Sequence, residues 1–238
     1  MSSSRVFPQR RFAPPSGATV ILLARHGASA AFVEGEPFPM HEGQGDPPLS
    51  EEGREQAERL AVRLASLDLT RVYVTTLRRT HETAAPLLSR TGLPVVVEPD
   101  LREVHLGDWD GGEYRRRIAD GDPLIRRSFE EGRWSVLPNA EDDAAFADRV
   151  QRGLRRIADA NRGSAVVAFV HGGVIAAAFA GVTGAGAFAF LGADNASLSE
   201  LWALPDRFVA RRFNDTTHLD DLGWTAALTG SEVSATER

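Results

Sequence analysis

The sequence contains no cysteine. Disulfides, thiolate nucleophiles and cysteine-ligated zinc are therefore excluded. No apolar run approaches the roughly 20 residues that a membrane span requires, so no membrane partner is expected. Positive charge is not in excess either: 27 Lys and Arg stand against 33 Asp and Glu, a net charge of −6. That balance gives no electrostatic reason to expect nucleic acid. The opening stretch "MSSSRVFPQRRFAPPSGA" has no apolar core of the secretory kind, although its Arg and Ser content slightly resembles a transit peptide. A cytoplasmic location is expected, with residues 1–17 as a disordered tail.

What is present is a core-forming pattern. Hydrophobic residues make up 42% and charged residues 25% of 238 positions, as in globular proteins. "ATVILLAR" (18–25), "RVYVTT" (71–76), "PVVVEP" (94–99) and "SAVVAFV" (164–170) are short, nearly continuous apolar runs of the kind buried on both faces of a parallel sheet. Helical patterns lie between them. Ser50 caps one over about 51–66, with Ala57, Leu60, Ala61 and Leu64 on a stripe. "EDDAAFADRVQRGLRRIADANRG" reads as a helix stopped at Gly163, and "HGGVIAAAFAGVTG" as a small-residue helix. "SLSELWAL" and "RFVARRFN" read as a closing pair of strands that could support a homodimer by edge pairing. The expected fold is a three-layer α/β/α domain over residues 18–220 with a mostly parallel central sheet. A cap is inserted at about 100–140, and 221–238 form a loose C-terminal tail.

In such folds ligands sit at the carboxyl ends of strands. Three of those ends carry unusual residues: Arg25-His26-Gly27, Thr75-Thr76 followed by Arg78 and Arg79, and His171-Gly172-Gly173. Glycine permits a tight turn and a close ligand approach, and a helix N-terminus offers free N–H groups to an anion. Two His-Gly turns and several arginines on one sheet edge describe a pocket for a dianion such as phosphate. Arginine supplies planar paired donors, and histidine can act as a nucleophile toward phosphorus.

"LLARHGAS" resembles the Arg-His-Gly motif of the histidine phosphatase superfamily, which includes the cofactor-dependent phosphoglycerate mutases. The likeness continues in order. "GDPPLSEEGREQAERLA" is similar to the segment with Leu49, Ser50, Gly53, Gln56 and Ala57 at fixed offsets. "TTLRRTHETA" resembles the helix start that places the second pocket arginine on Arg79. "LREVHLGDWDG" resembles the element that carries the acid, here Glu103, and "FVHGGVI" resembles the second histidine motif at His171.

The resemblance implies a mechanism. His26 attacks phosphorus and forms a phosphohistidine; Arg25, Arg79 and His171 bind the phosphoryl oxygens; Glu103 protonates the leaving oxygen and then activates water. Bound dianion should keep His171 protonated. Arginines and histidines supply the positive charge, so no metal and no cofactor are implied. Gly172, Ser29 and His105 are further substrate-binding candidates. Asp108, Asp110 and Glu113 lie near enough to compete for the acid role. His81 is expected at the surface, His218 in a structural role, and His41 in a loop that could reach substrate.

The chain departs from the mutases after Gly27, where "ASAAF" replaces their Trp-Asn pair. Arg102, Arg115, Arg116 and Arg117 are candidates for the extra cations a mutase needs, but they are not the expected set. Hydrolysis of a small-molecule phosphomonoester is therefore preferred over mutase-type phosphotransfer and over a catalytically silent scaffold. Specificity is expected in the 30–48 loop and the 104–140 cap, where Trp109, Tyr114 and Trp134 could pack on an apolar leaving group.

Overall fold

The structure, a computed structural model, describes residues 7–9 and 12–222. Strand β1 (Thr19–Arg25) is followed by a hairpin, β2 (Met40–His41) and β3 (Gln44–Gly45). Helix α1 (Glu51–Ala65), β4 (Leu69–Val74), α2 (Arg78–Thr91) and β5 (Val95–Val97) come next. Two short helices, α3 (Glu113–Ala119) and α4 (Pro123–Glu131), precede α5 (Asp143–Ala160), β6 (Ala165–Val170), α6 (Gly172–Thr183), β7 (Leu198–Ala203) and β8 (Phe208–Asp215). The six longer-range strands form one sheet in the order β5-β4-β6-β1-β7-β8. The first four are parallel; β7 runs antiparallel to β1, and β8 to β7.

Side chains alternate across this sheet because strand residues point to opposite faces. Leu22, Ala24, Val167 and Phe169 join Leu60, Leu64, Ala84 and Leu87 of α1 and α2 on one face. Ile21, Leu23, Val166 and Ala168 join Val150, Leu154, Ile175 and Phe179 of α5 and α6 on the other. The continuous apolar runs of β1 and β6 are thus what a doubly covered sheet demands. Ser50 caps α1 by accepting from the Gly53 N–H at 3.0 Å, as expected. Gly184 ends α6 in the left-handed conformation.

Three sequence expectations are adjusted. Helix α5 ends at Ala160 rather than at the Gly163 stop. Asn161 takes over there, its side-chain amide donating to the Ile157 carbonyl and the Tyr73 hydroxyl. The 100–140 segment does not stand apart as a cap. Leu101, Val104, Trp109, Trp134 and Leu137 are buried in the same core as α5 and α6. The expected tail is anchored at Phe12, whose ring stacks on Trp202 at 5.4 Å with the Arg211 guanidinium over both rings. The rest of the expected N-terminal tail, residues 1–6 and 10–11, lies outside the described residues, as does the C-terminal tail from 223 onward.

Candidate active site

Parallel register brings the two histidines together. Arg25 pairs with Val170 across β1 and β6, so His26 and His171 follow at the same level. Their ring centroids lie 5.2 Å apart. Val74 of β4 faces Phe169 on the other side of β6, which sets Thr75 beside His171. The Thr75 hydroxyl lies 2.9 Å from His171 Nε2.

His26 is held in one tautomer. Its Nδ1 lies 2.8 Å from the Gly27 carbonyl, which can only accept, so Nδ1 carries the hydrogen. Nε2 is left with its lone pair and accepts from Arg79 Nε at 3.2 Å. Burial, reinforced by Arg79 and Arg25, holds His26 well below the ordinary histidine range. A neutral imidazole with an unprotonated Nε2 is the form a phosphorus nucleophile needs.

The Arg-His-Gly turn depends on close backbone contact. A Cβ on Gly27 would stand 2.4 Å from the Gly53 carbonyl oxygen, and one on Gly53 would stand 1.9 Å from that of Ala28. This explains the glycine at 53 in α1, a position far from any chemistry of its own.

Arg79, the second residue of α2, is 8% exposed. Besides His26 it donates to the Gly45 carbonyl at 3.1 Å, and Asp46 lies 3.9 Å away. Arg25 donates to the Ala193 carbonyl, while its Nε is buried without a partner among the described residues. His171 Nδ1 is likewise buried and unpartnered. Buried polar groups are normally paired, and acceptor oxygens of a phosphoryl group would complete both. The protein's own groups push His171 down, first by burial, then through Arg79, His26 and Arg25. Protonation of His171 therefore requires the negative charge of a bound anion.

Glu103 sits on the same cavity. Its Oε2 accepts from the Gly173 N–H at 3.2 Å and its Oε1 from the Val104 N–H at 3.0 Å. The competing acids are occupied elsewhere. Asp108 accepts from Asn139, and Glu113 binds Arg116 and Arg117, which hold it down to about 2. Asp110 does line the cavity, but it accepts the N–H groups of Gly45 and Leu106 and serves as a backbone brace.

The cavity encloses about 260 Å³. It is walled by the hairpin region (Phe38, Gln44, Gly45, Pro47) and by the 104–134 segment (Leu106, Trp109, Tyr114, Trp134). Ser29 belongs to it, its hydroxyl accepting from Arg115 Nη2 at 2.6 Å. His105 does not. Its Nδ1 accepts from the Gly107 N–H at 2.9 Å and its ring lies between Asp110 and Gly43, which turns it out of the cavity. Gly172 is set back behind Arg25, whose Nε would be 3.5 Å from a Cβ there. His41 is exposed in the β2–β3 hairpin and does not line the cavity. His81 is exposed, as expected, with Nε2 donating to the Thr75 carbonyl. His218 bonds the Ala196 carbonyl and Arg63, a structural role.

Two contributors escaped the sequence. Gln44 donates to the carbonyls of Glu103 and Val104 and so ties the hairpin to the acid loop. Arg149 of α5 donates to the carbonyls of Asp100 and Glu103, each at 2.8 Å, and to that of Arg102; its pair with Glu141 closes at 2.7 Å. A lone glutamine in a loop and one arginine among many in a helix carry no local signal of such roles.

No helix among the described residues is long and apolar enough to cross a membrane. The chain is 29% identical over 213 residues to the metal-independent phosphoserine phosphatase of Arabidopsis thaliana, covering 88% of this chain and 87% of that one. It is 34% identical over 159 residues to phosphoglycerate mutase-like protein 4 of the same plant, covering 65% of this chain and 67% of the other. Among solved structures, a mycobacterial glucosyl-3-phosphoglycerate phosphatase superposes with a TM-score of 0.70 at 29% identity, over 84% of this chain and all of that one. The family profile of the histidine phosphatase superfamily (branch 1) matches residues 21–216. That span takes in both histidine turns, Arg79 and the Glu103 loop, and the chain belongs to this superfamily.

Proposed function

We propose that the chain is a metal-independent phosphatase that hydrolyses phosphomonoesters through a phosphohistidine on His26. Nε2 of His26 attacks phosphorus in line as the P–O bond to the leaving alcohol breaks. Protonated Glu103 gives its proton to that oxygen. Water then attacks the phosphohistidine, Glu103 takes a proton from it, and the P–N bond breaks to return the Nε2 lone pair. Arg25, Arg79 and His171 hold the phosphoryl oxygens, which offsets charge as the group transfers.

One observation carries this reading: the Nδ1–H bond to the Gly27 carbonyl, which leaves Nε2 of a buried neutral His26 directed at Arg79. Hydrolysis is favoured over mutase chemistry because, among the described residues, Arg115 is the one cation lining the cavity beyond Arg25 and Arg79. A silent scaffold would not need nucleophile, acid and three phosphate-binding groups together. The proposed substrate is a small-molecule phosphomonoester, no cofactor is required, and either a monomer or a homodimer would serve. The proposed setting is the cytoplasm, since charged phosphomonoesters do not cross membranes unaided.

The test is His26→Ala. Turnover of an aryl phosphate and any acid-labile phosphoenzyme should vanish while the thermal transition is retained. Near-normal turnover by this variant would overturn the mechanism.

A further inference from the structure

We propose that Arg115 is a substrate-binding residue, which with Ser29 grips anionic oxygens of the bound ester at the mouth of the cavity. This rests on the reading above that the cavity takes a phosphomonoester. It adds an arginine carried by α3 to Arg25 and Arg79 of the sheet edge.

The consecutive arginines of α3 are used differently. Arg116 and Arg117 both bind Glu113, and they reach Asp120 and Asp122 respectively. None of those groups lines the cavity. Arg115 does line it, and has no carboxylate partner among the described residues. Its Nη1 donates to the Ala30 carbonyl at 2.7 Å and its Nη2 to Ser29 Oγ at 2.6 Å. A guanidinium has five N–H groups, so Nε and a second hydrogen on each Nη stay unused. Ser29 Oγ accepts from Arg115, and its own hydrogen has no acceptor among the described residues. Two neighbouring donors, one of them charged, thus line the same cavity.

The fork is also held in place. The guanidinium lies 5.0 Å over the Phe38 ring. A Cβ on Gly112 would stand 2.1 Å from the Phe32 ring, so the start of α3 packs tightly on the segment after Ser29. Burial, Arg79 and Arg25 lower His26 most, and the charge of Arg115 adds to theirs, which puts Arg115 within electrostatic reach of His26. A charged fork so fixed, with only neutral partners, is preorganised for carboxylate or phosphoryl oxygens. A phosphomonoester offers two sources of them: the phosphoryl group itself, or an acid group on the leaving alcohol.

The experiment titrates the full chain with ethylphosphonate and with 2-carboxyethylphosphonate, which differ by a carboxylate and have no P–O ester bond to hydrolyse. Arg115→Met should weaken binding of at least one by about tenfold or more, as for a hydrogen bond to a charged group, with the melting temperature unchanged. Loss on both ligands assigns Arg115 to the phosphoryl oxygens; loss on the carboxyethyl compound alone assigns it to an acid group of the leaving alcohol. Arg115→Lys should recover part of the binding, and Ser29→Ala should show a smaller loss on the same ligand. Unchanged affinity of Arg115→Met for both ligands would overturn the inference, as would no measurable binding of either by the unsubstituted chain. So would a loss that accompanies a fallen melting temperature and is not recovered by Arg115→Lys, because Arg115 would then only latch α3 to residues 29 and 30. A chain that binds these ligands through Arg115 yet hydrolyses no phosphomonoester would overturn the phosphatase reading alone.

Discussion

Gly173→Ala separates the acid from the rest of the site. Gly173 lies in the first turn of α6, and its N–H donates to Glu103 Oε2 at 3.2 Å. A Cβ at this position would stand 2.5 Å from Oε1 and 3.3 Å from Cδ of Glu103. Ordinary contact requires the carboxyl group to retreat by about 1 Å, and a shift of that size costs roughly 10²-fold in rate when the group is catalytic. The obstructing atoms are the end of a side chain, so the backbone need not move. Alanine is moreover the better helix former by up to about 1 kcal/mol. Stability and activity should thus change in opposite senses: the melting temperature unchanged or raised, and kcat/KM for an alkyl phosphate down roughly 10²-fold. With 4-nitrophenyl phosphate, whose leaving group needs no proton, the loss should stay below about tenfold, since general acid catalysis then contributes little. Gly172→Ala, whose Cβ would meet Arg25 at 3.5 Å, should leave the ratio between the two substrates where it was. Undiminished alkyl phosphate turnover in Gly173→Ala would refute the assignment of Glu103 as the acid. Equal loss for both substrates with a lowered melting temperature would show a damaged pocket instead.

Glu103→Gln should lose more activity with alkyl phosphates than with 4-nitrophenyl phosphate, and an equal loss would move the acid elsewhere. His26 and His171 are both held well below 6.5 by burial and nearby arginines, so the native state stays neutral where the unfolded chain takes up protons. Stability should therefore fall as pH drops below about 6.5, by up to ~2.7 kcal/mol per pH unit for the two together. Asp215, lowered by Arg63, acts only below the ordinary carboxylate range, whereas Asp110, raised by burial, gives a smaller change of opposite sign. Sulfate, a dianion at either pH, should stabilise more at pH 5 than at pH 7.5 by favouring protonated His171; thermal melts independent of pH and sulfate would refute this. Arg149→Ala strips three carbonyls and Glu141 of their donor and should cost ~3–5 kcal/mol in urea unfolding; a loss under about 1 kcal/mol would show that the acid loop holds itself.

The sheet and its site were readable because the same residues report both. An apolar run as dense as 18–25 must lie between two layers, and a polar Arg-His pair at its end must then lie at a sheet edge. The second His-Gly turn, 145 residues later, repeats the logic, and parallel pairing of β1 with β6 makes the two turns neighbours. The walls were harder. Trp109, Tyr114 and Trp134 stood out as aromatics, yet the sequence alone allowed them to be the private core of a detached cap. Their burial with α5 and α6 is set by long-range packing, which leaves no period in the sequence. His105 shows the converse failure. Adjacency in the chain placed it beside the acid, but a turn at Gly107, with φ +62°, folds its ring back onto the backbone.

The proposed nucleophile depends on a contact no motif spells out. Gly27 and Gly53 leave room for the β1 turn and the start of α1 to touch backbone to backbone. The turn so formed presents the Gly27 carbonyl to His26 Nδ1, which fixes the tautomer. Arg79 reaches Nε2 from α2, while Thr83 of the same helix accepts the Gly27 N–H at 3.0 Å. One helix thus supports the turn and supplies the cation that faces His26 Nε2. Arg79 and Thr83, one helical turn apart on α2, fix the proposed nucleophile from both sides, at Nε2 and at the backbone of its turn.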